Sequence, residues 1–149
     1  MIELKKRILE EVESLLTQKA VEMREQLAII REDASSSAKS SMGDKYETTK
    51  EMLKQEELKI VGQLEICEKQ LKDVQQINPG PPDRVSNGKL IRSDKLYFMI
   101  LTSIGKITVD NQEVFVVSAA APIARLLLNK QVGDTFDFNR KSCQIDELV

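Results

Sequence analysis

This 149-residue chain lacks the residues that most often carry nucleophilic, acid–base or metal chemistry in enzymes. There is no histidine, which removes the commonest general base, the Ser-His and Cys-His nucleophile systems and every histidine-ligated metal site. The two cysteines, Cys67 and Cys143, lie far apart and form no CxxC pair, whereas a zinc site needs about four nitrogen or sulfur ligands. We therefore expect no intrinsic metal or cofactor, and both cysteines as small buried side chains in a reducing cytoplasm.

One pair of carboxylates has a spacing that could matter. Asp44 and Glu47 stand three positions apart in the sequence Gly-Asp-Lys-Tyr-Glu at 43–47. Residues with this spacing share one face if the segment is helical. The structural alternative is that Asp44 complements the positive end of a helix that starts here, while Glu47 is a solvated residue of its first turn.

A helical hairpin is predicted to position this pair. Residues 1–77 contain no proline, and their apolar residues recur with the 3-4 spacing of a coiled-coil seam. The seam residues are Ile2, Leu9, Leu16, Met23 and Ile30 with Ala20, Leu27 and Ala34, then Tyr46, Leu53, Ile60, Cys67 and Val74 with Leu64 and Leu71. A serine-rich, turn-prone segment separates the two stretches. The pattern therefore predicts an antiparallel coiled-coil hairpin over 1–77, with its tip at about 34–44.

The second half of the chain has the periodicity of strands. A proline-rich linker over 78–84 breaks the helix. Strands are predicted at 95–101, 106–109, 114–117, 135–138 and 142–148. Residues 122–128 predict a short helix, because proline is tolerated in its first turn. Residues 85–149 are thus predicted to form a small β-rich domain, which makes the whole chain α+β.

The segment 118–134 carries a family resemblance. Its sequence, Ser-Ala-Ala-Ala-Pro-Ile-Ala-Arg-Leu-Leu-Leu-Asn-Lys-Gln-Val-Gly-Asp, resembles the C-terminal signature of the Gre transcript-cleavage and elongation factors. Proline, Ile-Ala-Arg, the leucines, lysine and Gly-Asp keep the family's order, whereas Asn129 replaces the usual glycine and Ala121 the usual serine. The hairpin, the linker and the domain order also agree. Gly62, Cys67 and Glu68 fit the family's return helix without a gap.

The resemblance implies a cytoplasmic partner of bacterial RNA polymerase rather than an enzyme in its own right. In the family an FKBP-like C-terminal domain docks on the rim of the polymerase secondary channel. The coiled coil then reaches the active site, where an acidic tip pair helps hold a Mg²⁺ ion and the water that cleaves backtracked RNA near its 3′ end. The matching docking positions in this chain are Pro122, Ile123, Arg125, Leu126 and Lys130. At helical spacing, Ile123, Leu126 and Leu127 are more often domain core than an exposed docking patch. Without the resemblance, Arg125 and Lys130 would more often be solvated surface residues.

The tip aligns with the family in two registers. In one, Asp44 and Glu47 form the acidic pair, which implies a cleavage factor. In the other, Tyr46 matches the family's tyrosine and the acidic positions fall on Lys39 and Met42. Those side chains cannot bind a metal in that way, so this register implies a channel-binding regulator that does not cleave. The sequence leaves both open.

Two other classes of function compete with the polymerase factor. An FKBP-like fold also suggests a prolyl isomerase, but such an enzyme needs an aromatic-lined pocket that a chain without tryptophan supplies poorly. A scaffolding coiled coil would dimerise, whereas a hairpin within one chain predicts a monomer. The net charge of −2 does not fit a nucleic-acid polycation, and Arg84, Lys89 and Arg92 suggest solvated surface more than an RNA site. The first residues resemble neither a signal peptide nor a membrane span.

Overall fold

Two long helices precede a β-rich region in the structure, a computed structural model. It describes residues 1–37, 43–78 and 80–149, except for the side chains of residue 37 and residues 43–46. Helix α1 spans Ile2–Ser37 and helix α2 spans Gly43–Gln75. The elements that follow are β1 (Leu90–Ser93), β2 (Leu96–Ile100), β3 (Gly105–Val109), β4 (Gln112–Val117), α3 (Pro122–Leu127), β5 (Thr135–Phe138), β6 (Lys141–Gln144) and β7 (Glu147–Leu148). None of the helices in the described ranges is long and apolar enough to cross a membrane.

Contacts divide the chain into two compact units, which we call the helical unit and the β-rich unit. The helical unit is Leu15–Leu71. The β-rich unit combines Met1–Ser14 with Lys72–Val149, and thus includes the start of α1 and the end of α2. It is therefore built from two separate stretches of the chain.

The two helices of the helical unit run antiparallel. Arg24 Nη2 lies 3.0 Å from Glu68 Oε1, and Arg31 Nε, further along α1, lies 2.8 Å from Glu57 Oε1, which comes earlier in α2. The partners on α2 move backward as α1 advances. This order confirms the predicted hairpin, and with it the α+β class of a helical hairpin followed by a β-rich domain.

A narrow apolar seam joins these helices. Its buried side chains are Leu16, Ala20, Met23, Leu27, Ile30, Ile60 and Cys67. All of them lie on the predicted lines, so the coiled-coil pattern is confirmed within the helical unit. Cys67 is only 1% exposed, as expected for a small apolar side chain, and its thiol donates to the carbonyl oxygen of Leu16 at 3.2 Å.

The predicted seam is wrong in the first turns of α1. Ile2 is 76% exposed and Leu9 only partly buried, whereas Ile8 and Val12 have no exposed surface. From Ile8 the buried positions recur every four residues until they join the predicted line at Leu16. A four-residue step exceeds the 3.6-residue turn, so the buried stripe rotates around the helix. The rotation occurs where α1 belongs to the β-rich unit.

Polar contacts also fasten the helix ends into the β-rich unit. Arg7 Nη1 lies 2.6 Å from Asp110 Oδ2, in the turn between β3 and β4. Near the end of α2, Gln75 Nε2 donates to Glu13 Oε1 at 2.8 Å. All four side chains reach solvent, so these contacts orient the helix ends more than they stabilise them.

The main sheet has the strand order β3-β4-β2-β1-β7. Strands β2 and β4 pair in parallel, and the other neighbours in this sheet are antiparallel. Strands β5 and β6 form a separate antiparallel pair. The connection from β2 to the parallel strand β4 contains β3, which pairs with the other side of β4 and forms the edge of the sheet.

The core of the β-rich unit is centred on Phe98. Its buried members are Val85, Ile91, Phe98, Ile100, Ala124, Leu127, Phe136 and Ile145. The ring of Phe98 stacks on Phe115 at a centroid distance of 5.4 Å and meets Phe136 and Phe138 edge-on at 5.8 and 5.1 Å. These are all the phenylalanines of the chain, so its phenyl rings serve the core rather than an open pocket.

The strand predictions need two corrections. Strand β1 was not predicted, because only four residues separate the turn-rich segment before it from Asp94, which turns the chain with φ of 53°. The single strand predicted over 142–148 is two strands, β6 and β7. Ile145 lies between them, because its amide donates to the Asp134 carbonyl oxygen at 2.9 Å and its side chain is buried in the core.

Candidate functional site

The predicted docking residues lie on or just after the short helix α3. Pro122 occupies the first turn, where its missing N–H is not needed. The N-cap is Ala121, with extended backbone angles of −64° and 145° but a side chain that can accept no hydrogen bond. The amide of Leu128 donates to the carbonyl oxygen of Ala124 and ends the helix. With no side-chain cap at its start, the helix is stabilised by its buried residues, Ala124 and Leu127, and by the hydrogen bond at its end.

Asn129, which stands where the signature that this segment resembles has glycine, lies just after α3. It adopts φ of 66°, in the left-handed region that favours glycine, and asparagine is among the residues that tolerate it best. Its amide donates to the carbonyl oxygen of Val85 at 2.9 Å, and the Val85 amide donates to that of Lys130 at 2.8 Å. Asn129 therefore adopts a backbone conformation that glycine also adopts readily, and its amide helps join the end of α3 to the core.

The Gly-Asp part of the signature forms a turn. Gly133 has φ of 94°, and its amide donates to the carbonyl oxygen of Ile145 at 2.8 Å. The carboxylate of Asp134 accepts the amide of Gln131 at 2.8 Å. These residues shape the chain between α3 and β5, so the structure gives this part of the motif a local structural role.

The two sides of α3 differ sharply. Ala124 and Leu127 have no exposed surface, and Ile123 is half-buried against the same core. Pro122, Arg125 and Leu126 are exposed and stand one turn apart on one face, which we call the α3 surface. The core prediction is confirmed for Leu127 and is wrong for Leu126, which keeps 47% of its surface in solvent.

Three further side chains, Arg84, Lys130 and Val132, lie near α3 in sequence or in space. Lys130 is half-buried just beyond the helix, and Arg84 Nη1 donates to the nearby Asn129 carbonyl oxygen at 3.4 Å. Val132, which the sequence did not single out, is 56% exposed. No local pattern marks Val132 as exposed, because its exposure depends on which apolar residues the folded core buries.

The tip pair is only partly covered by the described residues. The backbone of α2 starts at Gly43, so positions 44 and 47 are both helical and one turn apart. Glu47 is exposed. The side chains of Asp44 and Tyr46 lie outside the described residues, as do Lys39 and Met42 of the alternative register. The helical backbone is compatible with the acidic pair of the first register.

Metal ligands are not grouped in the described part of the chain. Among these residues, no three His, Cys, Asp or Glu side chains lie together as a group that could hold a metal ion. Both cysteines are free thiols, with Cys143 half-buried beside the core. Burial lowers the pKa of the Lys5 ammonium, and the nearby charge of Lys89 lowers it further. That perturbed lysine lies in the β-rich unit, and no docking or tip prediction involved it.

Comparisons with known proteins give only remote similarity. No protein-family model and no curated protein matches the chain. The solved structure of GreA factor homolog 1 (Gfh1) from Thermus thermophilus is similar at 18% identity, over 92% of this chain and 94% of that one, with a TM-score of 0.39. A second structure, of the transcription factor Gfh1, is 19% identical over 90% of this chain and 89% of that one, with a TM-score of 0.39. The structure of Gfh1 from Thermus aquaticus is 16% identical over 91% of this chain and 92% of that one, with a TM-score of 0.34. Values this low do not establish a family, so function must be inferred from the chain's own residues.

Proposed function

We propose that this chain binds RNA polymerase as an elongation factor of the Gre type. The observation that carries the proposal is the α3 segment, where the family's residue order coincides with a helix divided into a buried and an exposed side. Ala124 and Leu127 hold the helix on the core, which leaves Pro122, Arg125 and Leu126 to meet a partner. An arginine beside two exposed apolar side chains suits a protein interface, because arginine is enriched there and the buried centre of an interface is apolar.

The long helices support a second element of the proposal. With 36 residues in α1 and 33 in α2, the helices are about 54 and 50 Å long at 1.5 Å per residue. The part of these helices that forms the helical unit, Leu15–Leu71, is the hairpin that would enter the secondary channel of the polymerase. In this proposal the β-rich unit is the FKBP-like docking domain at the channel rim, and the factor contributes no catalysis of its own.

The finer proposal concerns what the tip does at the polymerase active site. Two carboxylates can complete the ligands of a hard divalent cation, so Asp44 and Glu47 would assist a Mg²⁺ ion that belongs to the polymerase. The helical backbone at positions 44 and 47 supports this assignment, because it puts the two residues one turn apart. The competing outcome is a factor that occupies the channel and modulates elongation without cleavage.

The experiment is RNA cleavage in a backtracked elongation complex of a bacterial RNA polymerase. It compares the wild type, the double variant Asp44→Ala/Glu47→Ala, and the matched control Glu51→Ala, which removes an exposed carboxylate one turn further along α2. Cleavage by the wild type and the control but not by the double variant would establish a cleavage factor. Binding without cleavage, together with slower elongation, would establish the channel-binding regulator.

Failure to bind polymerase would overturn the proposal and favour a scaffolding coiled coil. One observation favours that second candidate: the helical unit exposes large apolar side chains, Ile29, Met52, Leu58 and Ile66, at 59–66% each. Sedimentation equilibrium separates the two functions, because a scaffold of this kind associates at micromolar concentration whereas the proposed factor stays monomeric.

A further inference from the structure

A shallow cavity of about 510 Å³, widely open to solvent, lies on the surface of the β-rich unit beside the first turns of α1. Ile2, Leu9 and Leu148 contribute to its mostly apolar wall. The charge at its edge comes from Lys5 and Lys6 on α1 and from Lys89, just before β1. Ile2 is 76% exposed although it opens a long amphipathic helix, so a large apolar side chain here has no cover from the described chain.

The lysines of this cavity form no ion pair within the described part of the chain. In the ranges that the structure describes, no carboxylate lies at ion-pair distance from Lys5, Lys6 or Lys89. Lys89 Nζ donates only to the carbonyl oxygen of Pro82, at 3.3 Å. Lys5 is half-buried, and both its burial and the charge of Lys89 oppose its protonated form. Cations brought together beside an apolar wall are unfavourable unless an anion joins them.

We propose that this cavity binds a small amphipathic anion, with its charged head between Lys5 and Lys89 and its apolar body against Ile2, Leu9 and Leu148. The volume falls within the roughly 300–1,000 Å³ typical of small-molecule sites. The charge complementarity selects an anion over a neutral ligand, and the apolar wall selects an amphiphile over a bare inorganic ion. The ligand class is therefore a carboxylate, sulfonate or phosphate ester that carries an apolar body.

The test uses two fluorescent probes of nearly the same shape. The anion 8-anilinonaphthalene-1-sulfonate and its neutral analogue N-phenyl-1-naphthylamine are titrated into the full chain in the absence of polymerase. We expect the anion to bind saturably at one site per chain, more tightly than the neutral probe. Decanoate should displace it and decanol should not. Added salt should weaken its binding, because the two lysines that hold the head are half-buried and remain partly accessible to ions.

Variants locate the probe and separate charge from apolar contact. Lys5→Met and Lys89→Met should each weaken the anionic probe by about three- to tenfold and leave the neutral probe unchanged. Lys95→Met removes an exposed lysine that does not line the cavity, so it should change neither. Ile2→Ser should weaken both probes. Because Ile2 is largely exposed, this variant should keep the wild-type fold, which circular dichroism checks.

Two results would overturn the proposal. One is equal affinity of Lys5→Met, Lys89→Met and Lys95→Met for the anionic probe. The other is a neutral probe that binds as tightly as the anion in the wild type. Either result would mean that the lysines do not select the ligand, whatever the outcome of the polymerase experiment.

Discussion

Two adjacent leucines of α3 should separate stability from partner binding. Leu127 has no exposed surface and packs in the core, whereas Leu126 keeps 47% of its surface in solvent. Truncation of a fully buried leucine removes its transfer free energy and leaves a cavity, which costs about 2–5 kcal/mol. We therefore expect Leu127→Ala to lower the free energy of unfolding of the β-rich unit by that amount, and Leu126→Ala to change it by less than about 0.5 kcal/mol.

Polymerase binding should depend directly on the exposed Leu126 and not on the buried Leu127. Complete burial of a leucine is worth about 1.5–3 kcal/mol, and about half of Leu126 is still exposed before any partner binds. A polymerase surface that covers the rest would therefore gain about 1 kcal/mol. Its loss in Leu126→Ala corresponds to roughly a fivefold weaker Kd.

Hydrogen exchange and polymerase binding measure the two effects separately. Amide exchange in β2 and β4 reports the stability of the β-rich unit without interference from the helical unit. Kd is then measured for wild type and Leu126→Ala by competition against a labelled wild-type chain. A large stability loss in Leu126→Ala would contradict the assigned burial. Unchanged Kd in a normally folded Leu126→Ala would refute the role of the α3 surface in docking.

The remaining predictions concern the start of α3 and the start of α1. Ala121→Ser should restore an N-cap hydrogen bond and raise the free energy of unfolding by about 1 kcal/mol, with Ala119→Ser, outside the helix cap, as the control in urea denaturation. For Lys5, the pKa in the folded state lies below its ordinary value of 10.5, so the folded state disfavours the charged form. The penalty is fully present below the folded-state pKa and is relieved as pH rises through that pKa toward 10.5. Lys5→Met should therefore be more stable than wild type at pH 7, by a margin that narrows as pH approaches 10, whereas a constant margin would point to packing instead of charge.

The parts of the fold that follow from local pattern were predictable from sequence. The seam residues from Leu16 to Ile30 repeat over four turns, and an apolar repeat sustained for that length is typical of a helix with one buried face. Proline at position 122, followed by Ile-Ala-Arg-Leu-Leu, likewise predicted a short helix that the structure contains. Such features depend on neighbours within a few positions, which the sequence displays directly.

Other features depend on residues distant in sequence and could not be predicted. The buried stripe rotates to Ile8 and Val12 where α1 belongs to the β-rich unit, most of which is made of residues after position 71. Leu126 and Leu127 are equivalent in composition, and only the position of the core decides which one is buried. Lys5 and Lys89 are brought to one cavity by the tertiary fold, so no local pattern could have linked them.

The division of the β-rich unit into two stretches has a consequence for the order of folding during synthesis. Met1–Ser14 is synthesised before the helical unit but cannot complete its packing until Lys72–Val149 has been made. The helical unit, Leu15–Leu71, is continuous in sequence and can form in the interval. Once this antiparallel hairpin has formed, its two ends, Leu15 and Leu71, lie close together. Most of the loop-closure entropy has therefore already been lost when the strands of the β-rich unit are synthesised. The hairpin would then act as an internal template that lets a discontinuous unit fold almost as readily as a continuous one.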